Sequence, residues 1–544
     1  MFIFQTRPFW RSMGVAIDKV QKRYKEFFGE HKLVIDNRDE ALKLLLNVIT
    51  TIQNRMVNKL KHENSYDMFM KLYYIFDEVH YFYLREKEAR SKLVSINVDD
   101  TDLTDTFVQN RNIMRNIIDA CNVWIENCVL YQHDTDTMSK AKDRGFKMDF
   151  DLLLDLYLYG LASQGVSLLT LSKNLGSQEL YYGLEVNPYD YSPAEVLKYH
   201  PIIFFNTAIT GNQNILVETP LTREANNTAF GKGFFKEYDV EFLLFLADLK
   251  GFQDDLLRGD EKSLTVISKE YFIYLVENYT KPQIDGRTFY ESFVLTKDKV
   301  KSQLRKKEDI IWVIGTNKYR HELRPFLGLE DGNILISYGA IEQAKQLWVS
   351  YFSNGGMCYT NDSDNLTNAM GRRNKELSDI LIDKIREKLN NHYTSKIDEK
   401  DVKYQRIFGD REIDYGDFDV IYYTEDTKEL FLIEAKYFSD SLNSSGMVTD
   451  YKKLFEKDGY YDRCRRRYDL VLSEPKKVKE FIGANEDIEV HLIFLTSKPI
   501  ELEIQDNDGV VTFLSLGIFD KYIEGKLGSQ HFSGHFIKRH FLKP

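Results

Sequence analysis

Four cysteines in 544 residues are too few and too scattered for a disulfide framework or a zinc site. The closest two, Cys121 and Cys128, fall inside a helical pattern and read as core thiols; Cys358 and Cys464 lie far from both. No apolar run is long and uncharged enough to span a bilayer. The most lipid-like stretch, Leu152 to Leu171, carries Asp155, Gln164 and two glycines and reads as a buried helix. Arg7 and Arg11 bracket only a few apolar residues, which leaves no signal-peptide core there. Positive charge is also short: 73 Lys plus Arg stand against 84 Asp plus Glu, a net −11. That excludes a constitutive basic coat for nucleic acid and leaves room only for a local basic face or a partner. Together these absences predict a soluble, cytoplasmic protein with reduced thiols and no membrane partner.

What is present is ample core material, 43% hydrophobic and 29% charged residues, in a chain long enough for about three domains. No repeat or low-complexity linker divides it, so boundaries come from changes in periodicity. Residues 1–140 read as a helical bundle: Ala41, Leu44, Leu45, Val48 and Ile49 mark one face, and Phe69, Leu72, Tyr73, Phe76 and Val79 another. Residues 141–300 read as mixed but mostly helical, with helices at Phe150 to Lys173 and Val240 to Gly259. Residues 301–368 read as a small α/β segment, with strands at Ile310 to Ile314 and Ile334 to Ser337 and a helix at Ala340 to Phe352. It ends in an Asn/Asp/Ser/Gly-rich linker from Ser353 to Asn368.

The chemistry-bearing residues follow. A helix is expected over Glu376 to Leu389, and Tyr404 to Phe408 reads as extended. Two β-rich runs, Asp417 to Tyr423 and Leu430 to Phe438, then flank the polar loop Thr424 to Glu429, the pattern of an antiparallel hairpin. With the loop centred between Asp426 and Thr427, Asp419 faces Glu434 and Asp417 faces Lys436. Residues two apart share a strand face, so Asp419, Glu434 and Lys436 converge at one end of an apolar hairpin. Two carboxylates that close repel unless a cation lies between them, and their hard oxygens favour Mg²⁺ or Mn²⁺. The competing reading is an exposed hairpin with a same-face Glu–Lys pair worth at most about 1 kcal/mol. Glu-x-Lys by itself carries nothing, since it recurs at Glu30/Lys32, Glu474/Lys476 and Glu524/Lys526.

With its in-register aspartate, this arrangement resembles the PD-(D/E)XK nuclease superfamily, the restriction-endonuclease-like fold. The resemblance covers about 370–500: the helix at 376–389, Asp419, Glu434-Ala435-Lys436, a basic helix near 451–472 and the strand Val490 to Leu495. Phe418 stands where the name-giving proline would be. The resemblance implies that Asp419, Glu434 and the Ala435 carbonyl hold the metal, that Lys436 orients the attacking water, and that Glu376 supports them. It also implies in-line attack on phosphorus with 5′-phosphate products. Arg463, Arg465, Arg466 and Arg467, beside Tyr460, Tyr461 and Tyr468, read either as phosphate contacts or as a solvated helix face paired with Asp462 and Asp469.

Other motifs fade. Gly231-Lys232-Gly233 lacks the glycine spacing of a phosphate-binding loop, and no histidine follows Arg111 or Arg115 at the spacing of a helical RNase. His531, His535 and His540 read as an exposed tail rather than ligands. The expected architecture is multidomain α+β, a mostly helical N-terminal region before a restriction-endonuclease-like α/β core at 369–544. The expected activity is a Mg²⁺- or Mn²⁺-dependent nuclease acting on DNA in preference to RNA, as a guarded effector against foreign DNA. The helical half would supply a protein partner surface or self-assembly. The rival expectation is a catalytically silent nucleic-acid-binding or assembly scaffold of the same fold.

Overall fold

The computed structural model describes residues 2–3, 22–23, 25–29, 33–35, 37–95, 101–133, 148–172, 182–187, 192–197, 221–261, 263–280, 283–304, 319–355, 364–439, 453–454, 457–497, 509–526 and 539–543. The chain is mixed α/β, with a helical N-terminal region and a C-terminal sheet, and it divides into two compact units. The second unit holds 353–356 and 371–544.

In the first unit, four long helices span Arg38–His62, Ser65–Ser95, Thr101–Tyr131 and Phe150–Ser172. The first begins at Asn37, whose side chain accepts from the backbone of Asp39 and Glu40. Acids in its first turn and Lys59, Lys61 and His62 in its last complement the helix dipole. Ala41, Leu45, Val48 and Ile49 are buried as the spacing predicts, with Leu44 half-buried, and Ile52 and Met56 continue the face. Cys121 and Cys128 are buried free thiols. Among the described residues no helix is long and apolar enough to cross a membrane.

The unit also carries more sheet than the sequence suggests. Strands 263–268, 333–337, 326–328, 294–295 and 2–3 form one five-stranded sheet, and 33–35, 182–187 and 192–197 a second of three. The strand expected at Ile334 to Ser337 is present as Asn333–Ser337, whereas the strands 2–3 and 263–268 pair across more than 250 residues and leave no local signature of it. The strand expected at Ile310 to Ile314 lies outside the described residues. Gly231-Lys232-Gly233 lies within the helix Ala229–Tyr238, not in a loop.

The elements of the second unit begin with α1 (Asp364–His392), whose residues from 371 onward belong to it. There follow β1 (Ile397–Lys403), β2 (Asp417–Thr424), β3 (Glu429–Lys436), α2 (Tyr460–Ser473), α3 (Pro475–Ile482), β4 (Ile488–Thr496), β5 (Thr512–Ser515), α4 (Leu516–Ile523) and β6 (His540–Leu542). The sheet order is β5-β4-β3-β2-β1, with β6 pairing β4. The β1-β2 and β2-β3 pairs are antiparallel; β3-β4 and β4-β5 are parallel.

The hairpin register agrees with the sequence reading: Val420 pairs Ile433, Ile421 pairs Leu432 and Tyr423 pairs Leu430. Val420, Tyr422, Phe431 and Ile433 pack against Leu377, Leu381, Ile385 and Leu389 of α1. On the other face Ile421, Tyr423, Leu430 and Leu432 pack against Cys464, Tyr468 and Val471 of α2. Both faces of the hairpin are therefore covered, and its runs are continuously apolar rather than alternating.

Three expectations need correction here. The helix placed at 376–389 begins at Asp364, so 364–368 is helix rather than linker. Leu366, Ala369, Met370 and Leu377 supply a helical apolar face that the surrounding Asn and Asp obscure. The strand sought near 404–408 lies earlier, at Ile397–Lys403, and Gln405–Phe408 is a helical turn. That edge strand reads Ile-Asp-Glu-Lys-Asp-Val-Lys; charges of this kind blunt an open sheet edge and erase the alternation that announces a strand. His540 is no tail residue: it lies in β6, and its Nε2 is 2.7 Å from the Val510 carbonyl. His531 and His535 lie outside the described residues.

Candidate functional site

The β2-β3 ladder runs from the turn to Val420 and Ile433, and beyond that point side chains take over the pairing. The Asp419 carboxylate accepts the backbone N–H of Ala435 at 2.7 Å, satisfying a donor the ladder has released. The same oxygen accepts from Lys436 Nζ at 2.9 Å, and that ammonium is 2.7 Å from Glu434 Oε1. Asp419, Glu434 and Lys436 are thus one cluster, as their register predicts.

A fourth charge enters from α2. Arg467, only 3% exposed, donates from Nη2 to the second oxygen of Glu434 and from Nη1 to the Tyr415 carbonyl at 2.8 Å. Its neighbour Tyr468 is fully buried. The Tyr468 hydroxyl accepts the N–H of Glu434 at 3.1 Å and lies 2.9 Å from the Leu432 carbonyl and 2.6 Å from that of Ile493. Tyr468 therefore ties β3 to β4 directly behind Glu434.

The electrostatics follow from burial and crowding. Burial, and then the charge of Glu434, push the Asp419 carboxyl up to about 6, against the pull of Lys436. Burial draws Lys436 downward, but Glu434 and Asp419 outweigh it, and the ammonium is held more firmly than usual. Burial likewise works against Arg467, and Glu434 more than offsets it. Two anions and two cations stand in a largely desolvated corner that opens to solvent beside Lys436, whose side chain is 21% exposed.

Glu376 stands on α1, which covers the opposite face of the sheet from Asp419, Glu434 and Lys436, and it pairs with Arg373 at 2.8 Å. Nor do the four arginines form one surface patch. Arg463 lies over the Tyr460 ring at 5.4 Å, Arg465 pairs with Asp469 and Arg466 with Asp458, while Arg467 turns inward. The sequence pattern, read as phosphate contacts or as a solvated helix face, does not by itself connect Arg467 and Tyr468 to Glu434. A signal was there: Cys464, Arg467, Tyr468 and Val471 fall at i, i+3, i+4 and i+7, the inward stripe of the helix.

For a divalent cation the donor set fits. The carboxylates of Asp419 and Glu434 are hard oxygen ligands, each already drawn to the same ammonium. A second group, Glu429, Glu489 and His491, has ligand atoms within 4.8 Å of one another at the other end of β3 and β4. There both His491 nitrogens have protein partners, the Tyr522 hydroxyl at 2.6 Å and Glu429 at 3.2 Å, so these contacts already account for the cluster. No family model, curated protein or solved structure matches this chain.

Proposed function

We propose that the C-terminal unit is a metal-dependent nuclease of the PD-(D/E)XK type, hydrolysing phosphodiester bonds of nucleic acid, with DNA preferred to RNA. One observation carries the reading: Asp419, Glu434 and Lys436 meet through direct contacts at the end of an otherwise apolar hairpin. The element order, a helix, three strands, two helices and a parallel strand, supports it. Asp419, Glu434 and the Ala435 carbonyl would hold Mg²⁺ or Mn²⁺, which supplies Lewis-acid polarisation of a phosphoryl oxygen and lowers the pKa of water. Lys436, held protonated by both carboxylates, would orient the attacking water and offset negative charge on the phosphoryl oxygens rather than remove a proton. Tyr468 fixes the backbone at Glu434 and so sets where its carboxylate points. The helical N-terminal region would regulate or assemble this activity, as suits a guarded effector against foreign DNA.

The test is cleavage of supercoiled plasmid, linear duplex, single-stranded DNA and RNA with Mg²⁺, Mn²⁺ or EDTA. Wild type runs beside Glu434→Ala and Lys436→Ala. Cutting that needs metal and is lost in both variants is the expected result; cutting that survives both overturns the assignment. One observation favours a second reading, a silent nucleic-acid-binding scaffold: Lys436 and Arg467 already neutralise both carboxylates. Binding of nucleic acid without cutting under every condition would decide for the scaffold.

A further inference from the structure

We propose that Arg467 is a tethered counter-ion that holds Glu434 in the place of a divalent cation, and that once the cation takes Glu434 its guanidinium passes to the scissile phosphate. This rests on the nuclease reading of the same site. Arg467 has a built seat. Nη2 meets Glu434, Nη1 meets the Tyr415 carbonyl, and the guanidinium lies 5.1 Å from the centre of the Phe418 ring. Gly416 completes that seat. Its φ of 76° favours glycine, and a Cβ there would stand 2.9 Å from Nη1, so the loop leaves room for the guanidinium.

Two features separate this arrangement from an ordinary ion pair. The buried Nε of Arg467 has no hydrogen-bond partner, although buried donors in folded proteins are nearly always paired. A donor is thus held in reserve beside Glu434, on a planar fork suited to two phosphate oxygens. The charges also balance without a metal: Asp419 and Glu434 against Lys436 and Arg467. A bound divalent cation adds two positive charges, which match the doubly negative transition state of phosphodiester hydrolysis. Arg467 and Lys436 are then surplus to the carboxylates and free to face phosphate.

The experiment is calorimetric titration of Mn²⁺ into the full chain, as wild type, Glu434→Gln, Arg467→Gln and Arg467→Lys, with folding checked by circular dichroism. Cleavage is measured in parallel at saturating Mn²⁺ on whichever polymer wild type cuts. Wild type binds Mn²⁺ and Glu434→Gln does not. Arg467→Gln binds it more than about tenfold tighter, because a unit positive charge a few ångströms from a divalent ion is gone. The same variant cuts at least about 100-fold more slowly, having lost a donor to the developing charge. Arg467→Lys keeps the charge without the fork; its Mn²⁺ affinity stays near that of wild type while cleavage still falls, and it carries the test if the Gln variant does not fold. Unchanged or weaker Mn²⁺ binding by folded Arg467→Gln overturns the proposal, as does full-rate cleavage by either Arg467 variant, and both leave the nuclease reading standing. Wild type that binds no Mn²⁺ overturns the nuclease reading, and the proposal with it.

Discussion

Glu434 is the residue on which the buried charges depend, and the cost of neutralising it follows from its neighbours. In Glu434→Gln, Arg467 keeps the Tyr415 carbonyl but loses its carboxylate while remaining almost wholly buried. Breaking a buried pair from one side leaves an uncompensated charge and costs about 3–5 kcal/mol. Lys436 suffers less, because Asp419 remains 2.9 Å away. The mirror change, Arg467→Gln, leaves Glu434 with Lys436 at 2.7 Å and should cost less, about 1–3 kcal/mol. The double variant removes both partners together, so its loss should fall short of the sum of the singles by about 2 kcal/mol or more. Urea unfolding in metal-free buffer measures all three. All four tryptophans, at 10, 124, 312 and 348, precede residue 371. Far-UV circular dichroism follows unfolding of the whole chain, and tryptophan fluorescence, recorded beside it, reports on the residues before 371. A Glu434→Gln protein within about 1 kcal/mol of wild type, or strictly additive losses, would refute a charge pair coupled in a desolvated site.

Tyr468→Phe removes one hydroxyl but strands both the N–H of Glu434 and a strand carbonyl, so it should cost about 2–4 kcal/mol in the same unfolding experiment. In the first unit, Asp248 is fully buried with neither carboxylate oxygen hydrogen-bonded, and burial pushes it up to about 8. The native state then keeps a proton that the unfolded chain releases above its ordinary value, so stability declines as pH rises from about 4 to about 8. Asp248→Asn should flatten that decline, by on the order of 3 kcal/mol between about pH 5 and pH 8, in tryptophan-monitored unfolding.

The sequence made legible what depends on local periodicity or register. The long helices follow from apolar spacing. The meeting of Asp419 with Glu434 follows from the pairing of Val420 with Ile433, because a strand fixes the face of every second residue. What stayed hidden depends on tertiary placement. The edge strand Ile397–Lys403 is polar because it is an edge, and among the described residues it pairs with β2 alone. Arg467 looked like one of four surface arginines because charge is read along the chain, whereas its helical phase with Cys464 and Val471 turns it inward. Gly416 gave no sign that it makes room for a guanidinium some 50 residues away in sequence, a long-range match that only the fold supplies.

The chemical role proposed for these residues is supported by a fold that does not need them. The sheet face that carries Glu434 continues through Ile421, Tyr423, Leu430, Leu432, Leu492 and Phe494, all buried and apolar. Extending it with apolar side chains would be at least as stable, because desolvating two carboxylates, an ammonium and a guanidinium costs about what their mutual attraction returns. The chain instead places four charges at one strand end and leaves one guanidinium N–H unpaired. The Glu429, Glu489 and His491 group shows the contrast within the same sheet: its histidine is paired on both nitrogens, and it lies 4.3 Å from the Phe431 ring in a parallel stack. That group spends its polarity on holding strands and helices together, whereas the Asp419 cluster opens to solvent beside Lys436 and keeps a donor in hand.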